Sequence, residues 1–241
     1  LLGAQVFGQT ALRINPSTVK AFRTLADMDA SQPSLNDPIS VVSGYSSNVV
    51  WSQPMLYQYD PTNSLPTNDL IRAVPNGLPG RRVLSWNGDA SAFGVSANSS
   101  NNSTAINLAN AAAISSEIPL LLPEGSLKIG YPWVSLVSGS HIRGKGMGRT
   151  ILLRVSSDAS QTNTHVHATL QTPGVFNPYL TNGGHGADVT ASVSDITLED
   201  FSISEASGSY SGFPIALMAA EDSTIQRVEV YGVTNHWAIT L

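Results

Sequence analysis

The 241-residue chain carries 12 Lys and Arg against 17 Asp and Glu, a formal net charge of −5. With 41% hydrophobic and only 12% charged residues it is not a disordered chain, and its acid excess excludes a nucleic-acid binder working through a broad basic field. It has no cysteine, which removes disulfides, zinc–thiolate sites and thiol catalysis together, and no apolar run approaches the ~18 residues of a membrane-spanning helix. Ser, Thr and Asn make up more than roughly a quarter of the chain, the supply that a turn-rich β architecture needs. The chain begins at Leu1 without a charged n-region and apolar h-region, and ends at Leu241 inside an apolar β-like pattern. It reads as a piece of a longer protein.

In chain order, Ser17-Thr18 ahead of Val19, Phe22 and Leu25 predicts a short capped helix. Strands are predicted at Val41-Val42, Val49-Val50-Trp51, Met55–Tyr59 and Arg82–Trp86, separated by the turn signals Asp60-Pro61-Thr62-Asn63 and Pro75-Asn76-Gly77. Residues 1–90 thus form a small α+β module. A polar Ser/Asn/Ala loop from Ser96 then leads into a helix over Ser103–Ser116, with a stripe of Ile106, Ala109, Ala113, Leu108 and Ala112 facing a flat surface. Leu120–Gly125 and Leu127–Ile129 follow as strand, turn and strand.

Beyond residue 130 the chain repeats. Ser140-His141-Ile142-Arg143, Ala168-Thr169-Leu170-Gln171, Ile196-Thr197-Leu198-Glu199 and Ser223-Thr224-Ile225-Gln226 align on apolar residues recurring about every 28 positions. The pairing Leu198-x-x-Phe201-x-Ile203 with Ile225-x-x-Val228-x-Val230 is the clearest, and the Leu170 member the poorest, since Thr172-Pro173-Gly174 follows it. Short strands recurring at that period between Gly/Ser/Asn turns are the mark of a parallel β-solenoid.

Phe93-Gly94-Val95, the Asn101–Ile106 helix start, Leu121-Leu122-Pro123-Glu124-Gly125 and Ser138–Gly146 come in a fixed order. In this they resemble the start of the pectate-lyase-like right-handed β-helix superfamily, in which a helix caps the solenoid. That superfamily's acidic, Gly-rich loop is replaced here by the neutral Ser96–Asn102. The preceding helix, Val41–Tyr45, Met55–Asp60 and Gly80–Leu84 resemble, in order and residue type, the module ahead of the β-helix in bacteriophage tailspikes. The resemblance implies a mainly β protein, with residues 1–90 as a virion-proximal adaptor and 91–241 as capping helix and first coils of a β-helix that continues beyond the chain. It further implies a homotrimer on the virion tail, bound to tail or to baseplate- or portal-proximal proteins and to host surface polysaccharide, without nucleic acid, membrane insertion or cofactor. The expected role is attaching the spike and supporting polysaccharide recognition or cleavage. A secreted polysaccharide lyase or hydrolase of the same superfamily and a non-enzymatic receptor-binding fibre are the alternatives.

Asp195 and Asp222 precede Leu198 and Ile225 by the same interval, so in stacked coils they sit about one strand spacing, ~4.8 Å, apart. That suits either a retaining glycosidase pair or a ladder of turn aspartates. Glu199, Asp200, Glu205, Glu221 and Glu229 add carboxylates nearby, and Asp200 falls over Arg227 as a cross-coil ion pair. His236 and Trp237 are candidates for a sugar platform, with an end of the β-helix or a trimer contact as the alternative. His165 and His167 share a strand face, but a metal site needs a third ligand such as His185, and none is assigned. Gly144-Lys145-Gly146-Met147-Gly148 lacks the phosphate-loop pattern and reads as a tight turn.

Overall fold

A computed structural model describes residues 19–33, 38–47, 49–64, 67, 70–75, 78–155, 168–172, 175–177, 186–188, 192–206, 213–217, 219–232 and 239–240. Its contacts divide the chain into two compact units, Leu1–Gly44 with Ser52–Ser85 and Tyr45–Trp51 with Trp86–Leu241. The division falls a few residues ahead of the boundary at 90 that the composition shift suggested. It also assigns residues 45–51 to the second unit, where the Trp51 indole N–H donates to Ser91 O at 2.7 Å.

In the first unit, β1 (Val19–Phe22), β2 (Ile39–Ser46), β3 (Val49–Asp60), β4 (Ile71–Ala73) and β5 (Arg81–Leu84) form a sheet in the order β1-β2-β3-β5-β4. The helix expected over Val19–Leu25 is corrected: Val19–Phe22 is a strand, parallel to Ile39–Val42, and helix α1 occupies Leu25–Ala30. The physical reason is a capping box. Thr24 Oγ1 accepts from Asp27 N at 3.2 Å, and the Asp27 carboxylate accepts from Thr24 N at 3.0 Å, which fixes the first turn after Thr24. The far end of α1 is held by Arg82, which is buried. Its guanidinium donates to Met28 O and Ser31 O, each at 2.7 Å, so the last carbonyls of the helix are satisfied by a cation placed where the helix dipole favours one.

The second unit is a parallel β-helix. A 3-10 turn (Ala90–Phe93) and helix α2 (Ser103–Ser115) precede the first coil, which consists of β6 (Leu120–Leu121), β7 (Gly125–Ile129) and β8 (Val134–Ser135). The second coil is β9 (His141–Arg143), β10 (Thr150–Arg154) and β11 (Ala168–Gln171), followed by an antiparallel excursion of β12 (Val175–Asn177) and β13 (Gly186–Asp188). The third is β14 (Val193–Ser194), β15 (Thr197–Glu205) and β16 (Phe213–Ala216); the fourth is β17 (Ala220–Glu221), β18 (Thr224–Tyr231) and β19 (Ile239–Thr240). Parallel pairing sets three columns in register: Leu120, Ile142, Leu198 and Ile225; Leu127, Leu152, Ile203 and Val230; and Val134, Leu170, Ile215 and Ile239. Leu120 to Ile215 in these columns are buried, and each such side chain contributes about 1.5–3 kcal/mol.

Leu170 therefore does not stack on Ile142 and Leu198 as the repeat alignment had it. It lies on another face, between Val134 and Ile215, and Ile142 pairs directly with Leu198. The second coil is long because it carries the residues up to β14, so a constant period cannot place it.

Helix α2 closes the open edge of the first coil, and it does so with polar side chains. The N-cap residue Asn102 donates its side-chain amide to Lys128 O at 3.3 Å beside its backbone N–H at 2.8 Å, Ser103 Oγ donates to Gly130 O at 2.7 Å, and Asn107 donates to Trp133 O at 2.9 Å while accepting from Ser135 N at 2.8 Å. Asn110, also buried, donates to Ser140 Oγ at 2.9 Å. These groups stand in for the backbone of a preceding coil, which a solenoid end lacks. Of the expected apolar stripe, Ile106, Ala109 and Ala113 are buried, whereas Leu108 is 53% exposed because the Asn side of the helix faces the edge. Asn107→Ala is accordingly expected to lower stability by about 1–3 kcal/mol, and Leu108→Ala to change it by no more than about 0.5 kcal/mol, as read by urea denaturation.

Candidate functional site

Asp195 and Asp222 follow β14 and β17, which pair in parallel with Ser194 opposite Glu221, so the two aspartates do sit at the same corner of successive coils. Both are exposed and both adopt the left-handed conformation, with φ of 58° and 46°. Asp195 N donates to Glu221 O at 3.2 Å, and the Asp195 carboxylate accepts from Ser194 Oγ at 3.0 Å. Aspartate tolerates this region better than most residues because its short side chain bonds locally, which is the chemistry of a corner ladder. His236 and Trp237 lie outside the described residues, as do His165, His167 and His185. Among the described residues no group of three or more His, Asp or Glu is placed to hold a metal ion.

Among the described residues the densest constellation of ionisable groups is elsewhere, on the strand faces of the second, third and fourth coils. Register places Arg143 beside Glu199 and Glu199 beside Gln226, with His141 beside Thr197. Glu199 is buried at the centre. Its Oε1 meets His141 Nε2 at 2.9 Å, and its Oε2 accepts from Gln226 Nε2 and Arg227 NH2, each at 2.8 Å. Asp200 is the next residue; its Oδ1 accepts from Arg227 Nε at 2.5 Å, and its Oδ2 from Arg143 Nε and Arg227 NH2, both at 3.1 Å. The expected Asp200–Arg227 pair is thus present, within a larger network.

The backbone makes this possible. Asp200 and Arg227 take φ of 62° and 51°, a matching kink in β15 and β18 that turns both side chains to the same place. In the second coil the corresponding position is opened into the Gly144–Arg149 loop. Gly144 N donates to Glu199 O at 2.9 Å and Gly146 N to Asp200 O at 2.8 Å. A Cβ on Gly144 would lie 2.3 Å from Asp200 O, so only glycine fits. Lys145 N and Gly148 N are likewise taken up, by Thr150 Oγ1 and Ser202 Oγ. The loop clamps the neighbouring coil, and its amides are not free to cradle a phosphate.

The His141 hydrogen bond, aided by Arg143, holds the Glu199 carboxyl below the usual glutamate range against the opposing effect of burial. Arg227 does the same for Asp200, and is itself raised by that bond. Two ionised carboxylates with every oxygen engaged are poor general acids. Among the described residues the carboxyl displaced upward is Glu205, through burial, with Arg154 partly offsetting the shift. It pairs in register with the buried Arg154, whose guanidinium stacks 4.3 Å over Trp133. Glu205, Arg154 and Trp133 thus make a polar join between coils.

His141 and Arg143 escape a sequence reading as partners of Glu199 and Asp200 because they lie 57 or more positions away along the chain. The signal was present: Arg143, Glu199 and Gln226 each directly follow the column residue Ile142, Leu198 or Ile225.

No protein-family model matches the chain, and no curated protein is similar to it in sequence. Solved structures do match. The tailspike protein of Acinetobacter baumannii bacteriophage Fri1, a capsular polysaccharide depolymerase, has a TM-score of 0.61 over 89% of this chain and 38% of its own, at 13% identity. The tailspike protein of a second Acinetobacter phage has a TM-score of 0.57 over 90% of this chain and 39% of its own, also at 13% identity. The chain has the parallel β-helix fold of these phage tailspikes and spans well under half of their length.

Two outcomes are expected at this site. Asp222→Gly keeps or raises the melting temperature while Asp222→Val lowers it, since the left-handed conformation costs a β-branched residue most. Because the folded-state pKa of Glu199 is depressed, its stabilisation is present above the ordinary value of 4.5 and is lost as pH falls through the folded value. Glu199→Gln is therefore less stable than the natural protein at pH 7, and the gap in melting temperature narrows as the pH is lowered below about 4.5.

Proposed function

We propose that this chain is part of a bacteriophage tailspike or tail fibre that attaches the spike to the virion and supports recognition or depolymerisation of host surface polysaccharide. The observation that carries the reading is the likeness to two phage tailspikes over 89% and 90% of the chain, more than the β-helical unit holds by itself. In this reading residues 1–90 are the virion-proximal adaptor and residues 91–241 cap and begin the β-helix. The saturated carboxylates at Glu199 and Asp200 suit a rigid, binding part of the spike better than a cleaving one. Low charge and the absence of cysteine suit an extracellular rod on the virion tail, stabilised by coil stacking and by association into a homotrimer.

Light scattering on the full-length natural protein is expected to give three chain masses, unchanged by mild SDS. A monomer contradicts the spike reading and favours a secreted lyase or hydrolase. In that case Asp195→Asn or Asp222→Asn would abolish cleavage without changing the melting temperature.

A further inference from the structure

The network around Glu199 and Asp200 spends its acceptors and keeps donors in reserve. Both oxygens of each carboxylate are engaged by His141, Gln226, Arg143 and Arg227. Arg143 spends only its Nε, and Arg227 its Nε and NH2. Two terminal nitrogens of Arg143 and one of Arg227 therefore carry no hydrogen bond among the described residues. The two side chains are 52% and 50% exposed. Lys145, two positions after Arg143, is also exposed. The nearby acid on the same face, Glu229, accepts from Ser202 Oγ at 2.9 Å.

Arg143, anchored at Nε by Asp200, presents its two terminal nitrogens as a planar, donor-only fork, and Arg227 adds the one terminal nitrogen it has left. A neutral hydroxyl must both give and receive hydrogen bonds, but a carboxylate only receives them, in the same plane and bidentately. Both guanidinium groups are held by the Asp200 carboxylate, which the backbone kink fixes in place, so binding costs little side-chain entropy.

We infer that the outer face of the second to fourth coils, at Arg143 and Arg227, is a subsite for a sugar carboxylate, which makes an acidic polysaccharide the class of glycan this chain engages. The inference rests on the tailspike reading and narrows it.

The test is binding of the full-length natural protein to polygalacturonate, hyaluronan and polysialic acid, with dextran as the neutral chain, by isothermal titration calorimetry at low salt. At least one acidic chain is expected to bind more tightly than dextran. Arg143→Gln is expected to weaken that binding about tenfold or more, and Arg143→Lys less, with the melting temperature of Arg143→Lys tracking the natural protein because it keeps a cation beside Glu199 and Asp200. Equal affinity for dextran, indifference of every acidic chain, or unchanged binding in both Arg143→Gln and Arg227→Gln overturns the subsite. A trimer that adheres to its host's surface polysaccharide yet ignores all acidic chains overturns this inference alone. A monomer that adheres to no glycan overturns the tailspike reading itself.

Discussion

Every coil of this β-helix depends on having another coil against it. An apolar residue such as Leu198 is fully covered because Ile142 lies on one side of it and Ile225 on the other, while the backbone between them is hydrogen-bonded in parallel to both neighbours. A single coil has neither a closed core nor a closed backbone, so stability accrues between coils rather than within them. This explains why the first coil needs a substitute neighbour. The asparagines and serine of α2 supply donors and acceptors at Lys128, Gly130, Trp133 and Ser135, where the backbone has no strand to pair with.

The same constraint shapes the candidate site. Stacking brings equivalent positions of successive coils within side-chain reach of one another, and polar residues on the outer face must accommodate their neighbours above and below. Glu199 does so by taking His141 from one coil and Gln226 and Arg227 from the next. The kink shared by Asp200 and Arg227 breaks the alternation of inward and outward side chains in both strands at the same point. The outcome is a polar array whose geometry is set by the backbone.

Much of this was legible in the residues. The apolar columns flanked by His141 and Arg143, Thr197 and Glu199, and Thr224 and Gln226 can be aligned by eye, and the small-residue helix ahead of them announces a cap. The rest was hidden by particular physical causes. Leu170 matched the period by coincidence, because a coil bearing an excursion between β11 and β14 has no reason to keep its neighbours' length. Thr24 and Asp27 overrode the spacing of Val19, Phe22 and Leu25, since a reciprocal cap fixes a helix start more firmly than a short apolar period does. The asparagines of α2 looked like loop and helix-surface residues, because nothing in a linear sequence marks a side chain that replaces a missing strand.

The most direct test of this account is engineered cross-linking, which the absence of native cysteine makes unambiguous. In the double variant Thr197→Cys with Thr224→Cys, and in His141→Cys with Thr197→Cys, the paired positions are directly opposite on adjacent parallel strands. Their separation of about 4.8 Å is within the range a disulfide spans. The account predicts that both pairs oxidise readily in the folded protein and that Thr169→Cys with Thr197→Cys does not. Cross-linking of 169 to 197, with none between 141 and 197, would place Leu170 in the Ile142–Leu198 column and contradict the coil assignment on which the cap, the network and the proposed subsite all stand.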